Sequence, residues 1–332
     1  MEWTRLEKGP SEYLSWNALA VSPDGGILAA GAASSGKGRS VSDVMPILRT
    51  DPQGATLWSR TVDFEGRDES PSYAAFTSDG GAIVTGTLDK MPYVKAKRQQ
   101  INSFTAFAIR LDAAGKTVWS RRYRKAGNSV VLAARETAEG GYLLIGKNHQ
   151  YNKETPVCPG LWALRLDSSG SAGDVVCLDP GGGVSLGFAV PSGDGFMAVG
   201  DQGNSRIMAT HIAPDLSFGT IWEYTFSTSG LLRKLGGISA LADGSVAGFG
   251  VESEGDDKSL DWQWIFVIDS EFRLVFLSKE RRMKYFVDAV AGTSERITVA
   301  VKKKSGPYAI RLADRHRHLS EHRPDHGLKR GR

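Results

Sequence analysis

Short apolar runs recur along the chain, each opened by an acidic residue and glycine and closed by a second glycine. The clearest is Asp24-Gly25-Gly26-Ile27-Leu28-Ala29-Ala30-Gly31. It returns as Asp79-Gly80-Gly81 closing at Gly86, as Glu139-Gly140-Gly141 closing at Gly146, and as Asp194-Gly195 closing at Gly200. A weaker copy runs from Asp243-Gly244 to Gly250, and a degenerate one reads Glu295-Arg296-Ile297-Thr298-Val299. Apolar runs this short, bounded by turn residues, predict strands rather than helices. Asp-Gly between two such runs predicts a hairpin, because the turn requires a backbone with φ > 0.

A second pattern alternates with the first: apolar-Arg-x-Asp-x-x-Gly-x-x-x-Trp-Ser-Arg. It is complete in Leu48-Arg49-Thr50-Asp51, Gly54 and Trp58-Ser59-Arg60, and again in Ile109-Arg110-Leu111-Asp112, Gly115 and Trp119-Ser120-Arg121. Leu164-Arg165-Leu166-Asp167 with Gly170 follows, then frayed copies around Asp215 to Trp222 and around Asp269. The last, Ile310-Arg311-Leu312-Ala313, breaks off at the turn. The opening acids lie 55, 60, 55, 49 and 52 residues apart. Each unit reads strand, Asp-Gly turn, strand, long loop, strand, Asp-x-x-Gly turn, strand. Four antiparallel strands per unit of about 50 residues is the pattern of a propeller blade. The fold class expected is all-β, a six-bladed β-propeller over residues 1–313. Its blades fall at about 14–62, 67–124, 127–180, 183–228, 232–281 and 284–313. The sixth copy lacks its Trp-Ser-Arg strand, and Glu2-Trp3-Thr4-Arg5-Leu6 matches it. Strand 2–6 is therefore expected to complete that blade and close the ring, which removes an exposed edge.

The two motifs resemble those of divergent bacterial and archaeal β-propeller repeats, over about residues 2–313. They are also similar to the quinoprotein-type repeat, with a turn one residue shorter; WD40 repeats are less similar, since Gly-His and Trp-Asp pairs do not occur. The resemblance implies a propeller and no cofactor, because many such propellers are binding scaffolds. Fold analogy by itself assigns no function.

Composition narrows the picture. Of 332 residues, 41% are apolar, enough for a sizeable core. No apolar run reaches the length of a membrane-spanning helix. The net charge is +4, of which residues 314–332 supply +3. That tail also holds His316, His318, His322 and His326, and reads as a solvated, mobile terminus. A near-neutral body argues against a dedicated nucleic-acid binder. The start, Met1-Glu2-Trp3 followed by Arg5, Glu7 and Lys8, has no apolar leader region. As written the chain is expected in the cytoplasm, or in the periplasm or outside the cell if a leader has been removed. Cys158 and Cys177 flank the Asp167 turn, and antiparallel pairing brings 177 opposite about 160–162. A disulfide is geometrically open to them, and one would argue for export.

Labelling the strands of a blade a to d from the inside, the short a–b and c–d turns share one face and the longer b–c loops share the other. The b–c loops are expected at about 32–43, 87–103, 147–160 and 251–263. Long loops in compact domains are usually functional, which places the binding face there. The second of these loops is basic (Lys90, Lys95, Lys97, Arg98) and the fourth acidic (Glu252, Glu254, Asp256, Asp257, Asp261). The acidic loop is a weak Ca²⁺ candidate through Glu252, Glu254, Asp256 and Asp257, without EF-hand spacing. Seven positions before each turn acid stand Asn17, Ser72, Leu132, Gly187, Gly236 and Asp288, a ring of inner-strand positions. Aromatic and polar residues near that level are the candidate ligand contacts: Tyr13, Trp16, Asn17, Ser72, Tyr73, Tyr151, Tyr285 and Asp288. Trp58, Trp119 and Trp222 recur with the repeat and read as interblade packing. Asp51, Asp112 and Asp167 read as turn caps, and Arg135 with Glu136 as a structural pair.

The leading functional reading is a non-catalytic scaffold that binds a small molecule, glycan or protein on the b–c face and at the channel mouth. It is expected to be a monomer, without nucleic acid, membrane span or cofactor. The alternative is an enzyme (lyase, isomerase, cyclase or hydrolase) with Asp288, Lys284, Tyr285, Tyr73 and His149 as acid–base groups at the channel mouth. Zincin and Walker motifs are missing from the sequence.

Overall fold

The computed structural model describes residues 14–35, 42–64, 68–90, 93–94, 99–100, 103–126, 129–148, 158, 160–179, 185–202, 206–225, 231–241, 243–254, 257–281, 285–292, 296–303 and 309–314. They are β-strands and turns, with one short 3-10 turn at Arg124–Ala126. Among the described residues no helix is long and apolar enough to cross a membrane. The chain divides into two compact units, Met1–Gly182 with Pro214–Ser217, and Gly183–Ala213 with Phe218–Arg332.

The first unit holds three four-stranded antiparallel sheets. The first is β1 (Leu14–Val21), β2 (Ile27–Ser35), β3 (Ser42–Thr50) and β4 (Thr56–Val62). The second begins with β5 (Asp68–Phe76) and β6 (Ala82–Lys90). A two-stranded ribbon, β7 (Tyr93–Val94) and β8 (Gln99–Gln100), intervenes before β9 (Ser103–Leu111) and β10 (Thr117–Tyr123) complete the sheet. The third is β11 (Ser129–Glu136), β12 (Tyr142–Asn148), β13 (Leu161–Leu166) and β14 (Ala172–Leu178). In the second unit β15 (Ser185–Ser192), β16 (Gly195–Gln202), β17 (Arg206–Ile212) and β18 (Trp222–Thr225) form one four-stranded sheet. A second contains β19 (Leu231–Ala240), β20 (Val246–Glu254), β21 (Asp257–Ile268) and β22 (Leu274–Arg281). The last has three strands, β23 (Tyr285–Gly292), β24 (Arg296–Lys303) and β25 (Ala309–Asp314). Six four-stranded blades were expected; among the described residues five are present, and the sixth sheet has three strands. Its anticipated fourth strand, residues 2–6, lies outside the described residues.

The core consists of layers between successive sheets. In the second sheet Val84, Leu88, Phe107 and Ile109 face the first sheet, while Ile83, Ala106 and Ala108 face the third. Both faces of the sheet are thus buried, which is why its middle strands read as continuous apolar runs. Within each unit the first strands pack side by side: β1, β5 and β11 in one, β15, β19 and β23 in the other. Antiparallel four-stranded blades packed in this way are those of a β-propeller.

The turns follow the motifs. Ser22, Thr77, Thr137 and Leu241 each donate their amide four residues ahead and accept one from the glycine three ahead. Those glycines, Gly25, Gly80, Gly140 and Gly244, have φ between 78° and 92°, which closes a three-residue hairpin loop with little strain. At the c–d turns, Asp51, Asp112, Asp167 and Asp269 each accept two amides on one carboxylate oxygen, from the residues two and four ahead.

The repeated arginine and tryptophan join one blade to the next. Trp58 Nε1 donates to the carbonyl of Ala113 at 3.0 Å, and Trp119 Nε1 to that of Ser168 at 2.9 Å. Both acceptors sit in the c–d turn of the following sheet. Each indole also lies against that turn's glycine, Gly115 or Gly170, where a Cβ would enter the ring. Arg49 donates to the carbonyls of Gly80 and Ala113 in the next sheet. Trp222 departs from the expected buried position: it is 38% exposed. Phe272 replaces glycine in the facing turn with φ 60°, so the indole stacks on its ring at 6.1 Å instead of tucking beneath.

Two expected loops are largely strand. Ser259-Leu260-Asp261-Trp262-Gln263-Trp264 alternates polar and apolar with a period of two, the strand pattern. β20 and β21 accordingly extend through 251–263, and Glu254 pairs with Asp257. The 87–103 segment likewise continues β6 to Lys90 and contains the β7–β8 ribbon.

Candidate functional site

The positions counted from the turn acids have a structural origin. In all six sheets the register between first and second strand slips by one residue. The slips fall between Trp16 and Ala18, Pro71 and Tyr73, Val131 and Ala133, Leu186 and Phe188, Leu235 and Gly237, and Val287 and Ala289. The residue skipped is Asn17, Ser72, Leu132, Gly187, Gly236 and Asp288 in turn. A β-bulge leaves one residue unpaired and re-aims its side chain. The glycine that closes the first motif stands opposite the residue before the bulge, in the pairs Trp16–Gly31, Pro71–Gly86, Val131–Gly146, Leu186–Gly200 and Leu235–Gly250. A Cβ on Gly31, Gly86 or Gly146 would collide with the carbonyl of Ser15, Ser70 or Val130. The bulge draws the two backbones too close for any side chain there.

At this level the first unit presents different chemistry on each sheet. Ser15, Trp16 and Asn17 are exposed in succession on β1. Ser72 donates its hydroxyl to the carbonyl of Val131, beside the next bulge, and so joins the second and third sheets. Tyr73 packs against the apolar layer between those sheets, and burial pushes its phenol above the usual range. In the second unit Gly187 and Gly236 supply backbone alone. Tyr285 opens β23 and Asp288 occupies its bulge. Glu252 and Glu254 lie in β20 and Asp257 in β21, on a hairpin instead of a loop. Tyr13, His149, Tyr151, Asp256 and Lys284 lie outside the described residues. Among the described residues no group of three His, Cys, Asp or Glu side chains is placed to hold a metal ion.

Two polar sites escape sequence reasoning. Glu69, three residues before the Ser72 bulge, is 1% exposed. One carboxylate oxygen accepts the Phe64 amide at 2.5 Å and the other has no hydrogen-bond partner. Burial pushes its pKa up to about 7. Nothing in the repeat marks the position. Arg110, in the repeat, is buried and paired with Asp79, and its Nε donates to Tyr142 Oη at 2.7 Å. Glu136 accepts the Ser78 amide at 2.7 Å. These groups tie the second sheet to the third at the hairpin-tip end. His211 lies 3.5 Å from Asp194 at the corresponding end of the fourth sheet. Cys158 and Cys177 form a disulfide with Cα atoms 5.2 Å apart, next to the Trp162–Cys177 strand pair.

The fold makes this protein a β-propeller with antiparallel four-stranded blades. No protein-family model matches the chain, and no curated protein matches it. Among solved structures, a Dyadobacter fermentans protein of unknown function gives a TM-score of 0.51 at 14% identity, over 90% of this chain and 93% of that one. A mutant apocarotenoid oxygenase from Synechocystis gives 0.50 at 15%, over 79% of this chain and 60% of that one. The chain thus spans about three fifths of the oxygenase's length. A DUF4221-family member from Bacteroides vulgatus gives 0.48 at 9%, over 90% and 93%. At these identities the likeness is one of fold.

Proposed function

We propose that the protein is a non-catalytic binding scaffold that receives a small molecule, glycan or protein at the bulge level and along the b–c ends of its blades. The observation that carries this reading is the bulge placed at one position of the first strand in every sheet, with Trp16 and Asn17 turned out to solvent. An exposed indole beside an amide is the usual makeup of a sugar or peptide contact. The likeness to an apocarotenoid oxygenase carries the fold and no activity. Binding to a glycan and peptide array tests the reading: Trp16→Ala should abolish the strongest signals. Signals that survive both Trp16→Ala and Asn17→Ala would refute it.

The same proposal includes a sixth four-stranded blade closed by residues 2–6. It is supported by the bulge at Asp288, which repeats that of the five complete blades, and by the match of Trp3-Thr4-Arg5 to Trp58-Ser59-Arg60. Trp3→Ala should then destabilise by about 3–5 kcal/mol; an unchanged melting temperature on deleting residues 1–8 would refute closure. The disulfide supports an oxidising compartment, periplasmic or extracellular.

A further inference from the structure

The body of the chain is close to neutral only as a sum. Residues 90–135 carry eleven Lys and Arg against one acid, Asp112, a net of +10. The rest of the chain up to Ala313 is therefore at −9. Most of this segment is β9 and β10, the outer strands of the second sheet, with the β7–β8 ribbon before them and the Arg124–Ala126 turn after; Lys90 ends β6 and Arg135 lies in β11 of the third sheet. Among the described residues of this segment, Arg110 is the cation withdrawn into the interior. β10 is the edge strand of its sheet. Lys116, Arg121, Arg124 and Lys125, along β10 and just beyond its two ends, are exposed. Arg122 lies over the Phe64 ring, 5.3 Å from its centroid, and donates to the Phe64 carbonyl.

Register gathers part of this charge at one end. Tyr123 pairs with Ala106, Ala106 with Thr87, and Lys90 with Ser103. The end of β10, the Arg124–Ala126 turn and the end of β6 therefore share the b–c end of the blade. Lys125 pairs with Asp174, 94% exposed, at 3.2 Å, an ion pair open to water on both sides. Such a pair contributes little and is readily exchanged.

We propose that the outer edge of the second blade is a docking surface for a linear anionic polysaccharide, resting on the reading of the b–c end as the binding face. Exposed cations on an edge strand and just beyond its two ends match a polymer carrying sulfate or carboxylate groups, and counterion release drives such binding. The Cys158–Cys177 disulfide favours carbohydrate over nucleic acid, because it belongs to oxidising surroundings outside the cytoplasm.

The test is titration of the full chain with a fluorescent heparin-derived octasaccharide across a salt series. Affinity should fall linearly on a log–log plot against salt. The double variant Arg121→Glu/Arg124→Glu should weaken binding about thirty-fold at low salt and flatten the salt slope. Lys116→Glu is the second variant, and thermal melts check that both fold. Lys329→Glu/Arg330→Glu in the tail should leave binding unchanged. Unchanged affinity in both blade variants overturns the proposal, as does equal loss from the tail variant. Tighter binding of poly-L-glutamate or oligothymidylate than of the octasaccharide overturns the polysaccharide assignment. Loss with Trp16→Ala but not with the charge reversals overturns this surface while leaving the binding face of the propeller standing.

Discussion

Replacing Glu69 by glutamine should make the protein's stability less dependent on pH. In the folded chain the carboxyl is 1% exposed, with one oxygen held by the Phe64 amide and the other without a partner. Burial raises its pKa from 4.5 to about 7, helped by the neighbouring charges of Asp63 and Asp68. An acid whose folded pKa lies above its unfolded value binds more protons in the folded state throughout that interval. Its contribution is therefore fully present below pH 4.5 and is lost as the pH rises through 7. At about 1.4 kcal/mol per pH unit, the interval amounts to about 3 kcal/mol. Glutamine keeps the acceptor for Phe64 and removes the titration. Its amide places an N–H where Glu69 has an unpartnered oxygen, a penalty of about 1–3 kcal/mol that does not vary with pH. The informative quantity is therefore the change in slope. Urea denaturation of both proteins at several pH values should give a wild-type stability that falls about 3 kcal/mol further than the variant's between pH 4.5 and 7. Parallel curves would show that the carboxyl ionises without penalty and that its environment is wet.

Trp119→Ala should lower stability by about 3–5 kcal/mol, since the indole fills a seam and its N–H satisfies Ser168; Trp222→Ala, half out in water, should lose about 2 kcal/mol. Chemical denaturation of the two variants checks that order. Gly140→Ala meets nothing within 4 Å and should pay only for its φ of 78°, about 1 kcal/mol. Gly86→Ala meets the Ser70 carbonyl and the Phe107 ring and should lose about 3 kcal/mol, read as a lower melting temperature. Reducing Cys158–Cys177, which spans 19 residues, should remove about 3 kcal/mol, visible as a drop in melting temperature on adding a thiol.

The repeat made most of the blade architecture legible, because strand, turn and capping residues recur at fixed offsets and each has a local cause. The Asp-Gly and Asp-x-x-Gly turns, the capping by Asp51, Asp112 and Asp167, and the interblade role of Trp58 and Trp119 all follow from it. Where copies fray, local cause gives way to packing. Leu216 and Phe272 hold left-handed backbone where glycine is the rule, and no motif announces that Trp222 will stack on the latter. The bulge positions were legible as a count of seven, but their cause was hidden, because a bulge is a property of paired strands and not of one strand. The 251–263 hairpin was hidden by its charges, which read as loop although the alternation of Leu260, Trp262 and Trp264 is that of a strand. Glu69 and the charge of residues 90–135 have no repeat to reveal them. The first shows only when burial is known, and the second only when charge is summed by blade.

The tryptophan links all run in one direction along the chain. Trp58 reaches the turn at Ala113, Trp119 that at Ser168, and Trp222 that at Phe272. Each of these indoles therefore reads the polarity and rigidity of the following blade rather than its own. Emission and quenching of a single retained tryptophan would act as an optical gauge of the neighbouring turn. A set of such proteins would reveal whether melting starts at one seam and spreads or occurs at all seams together.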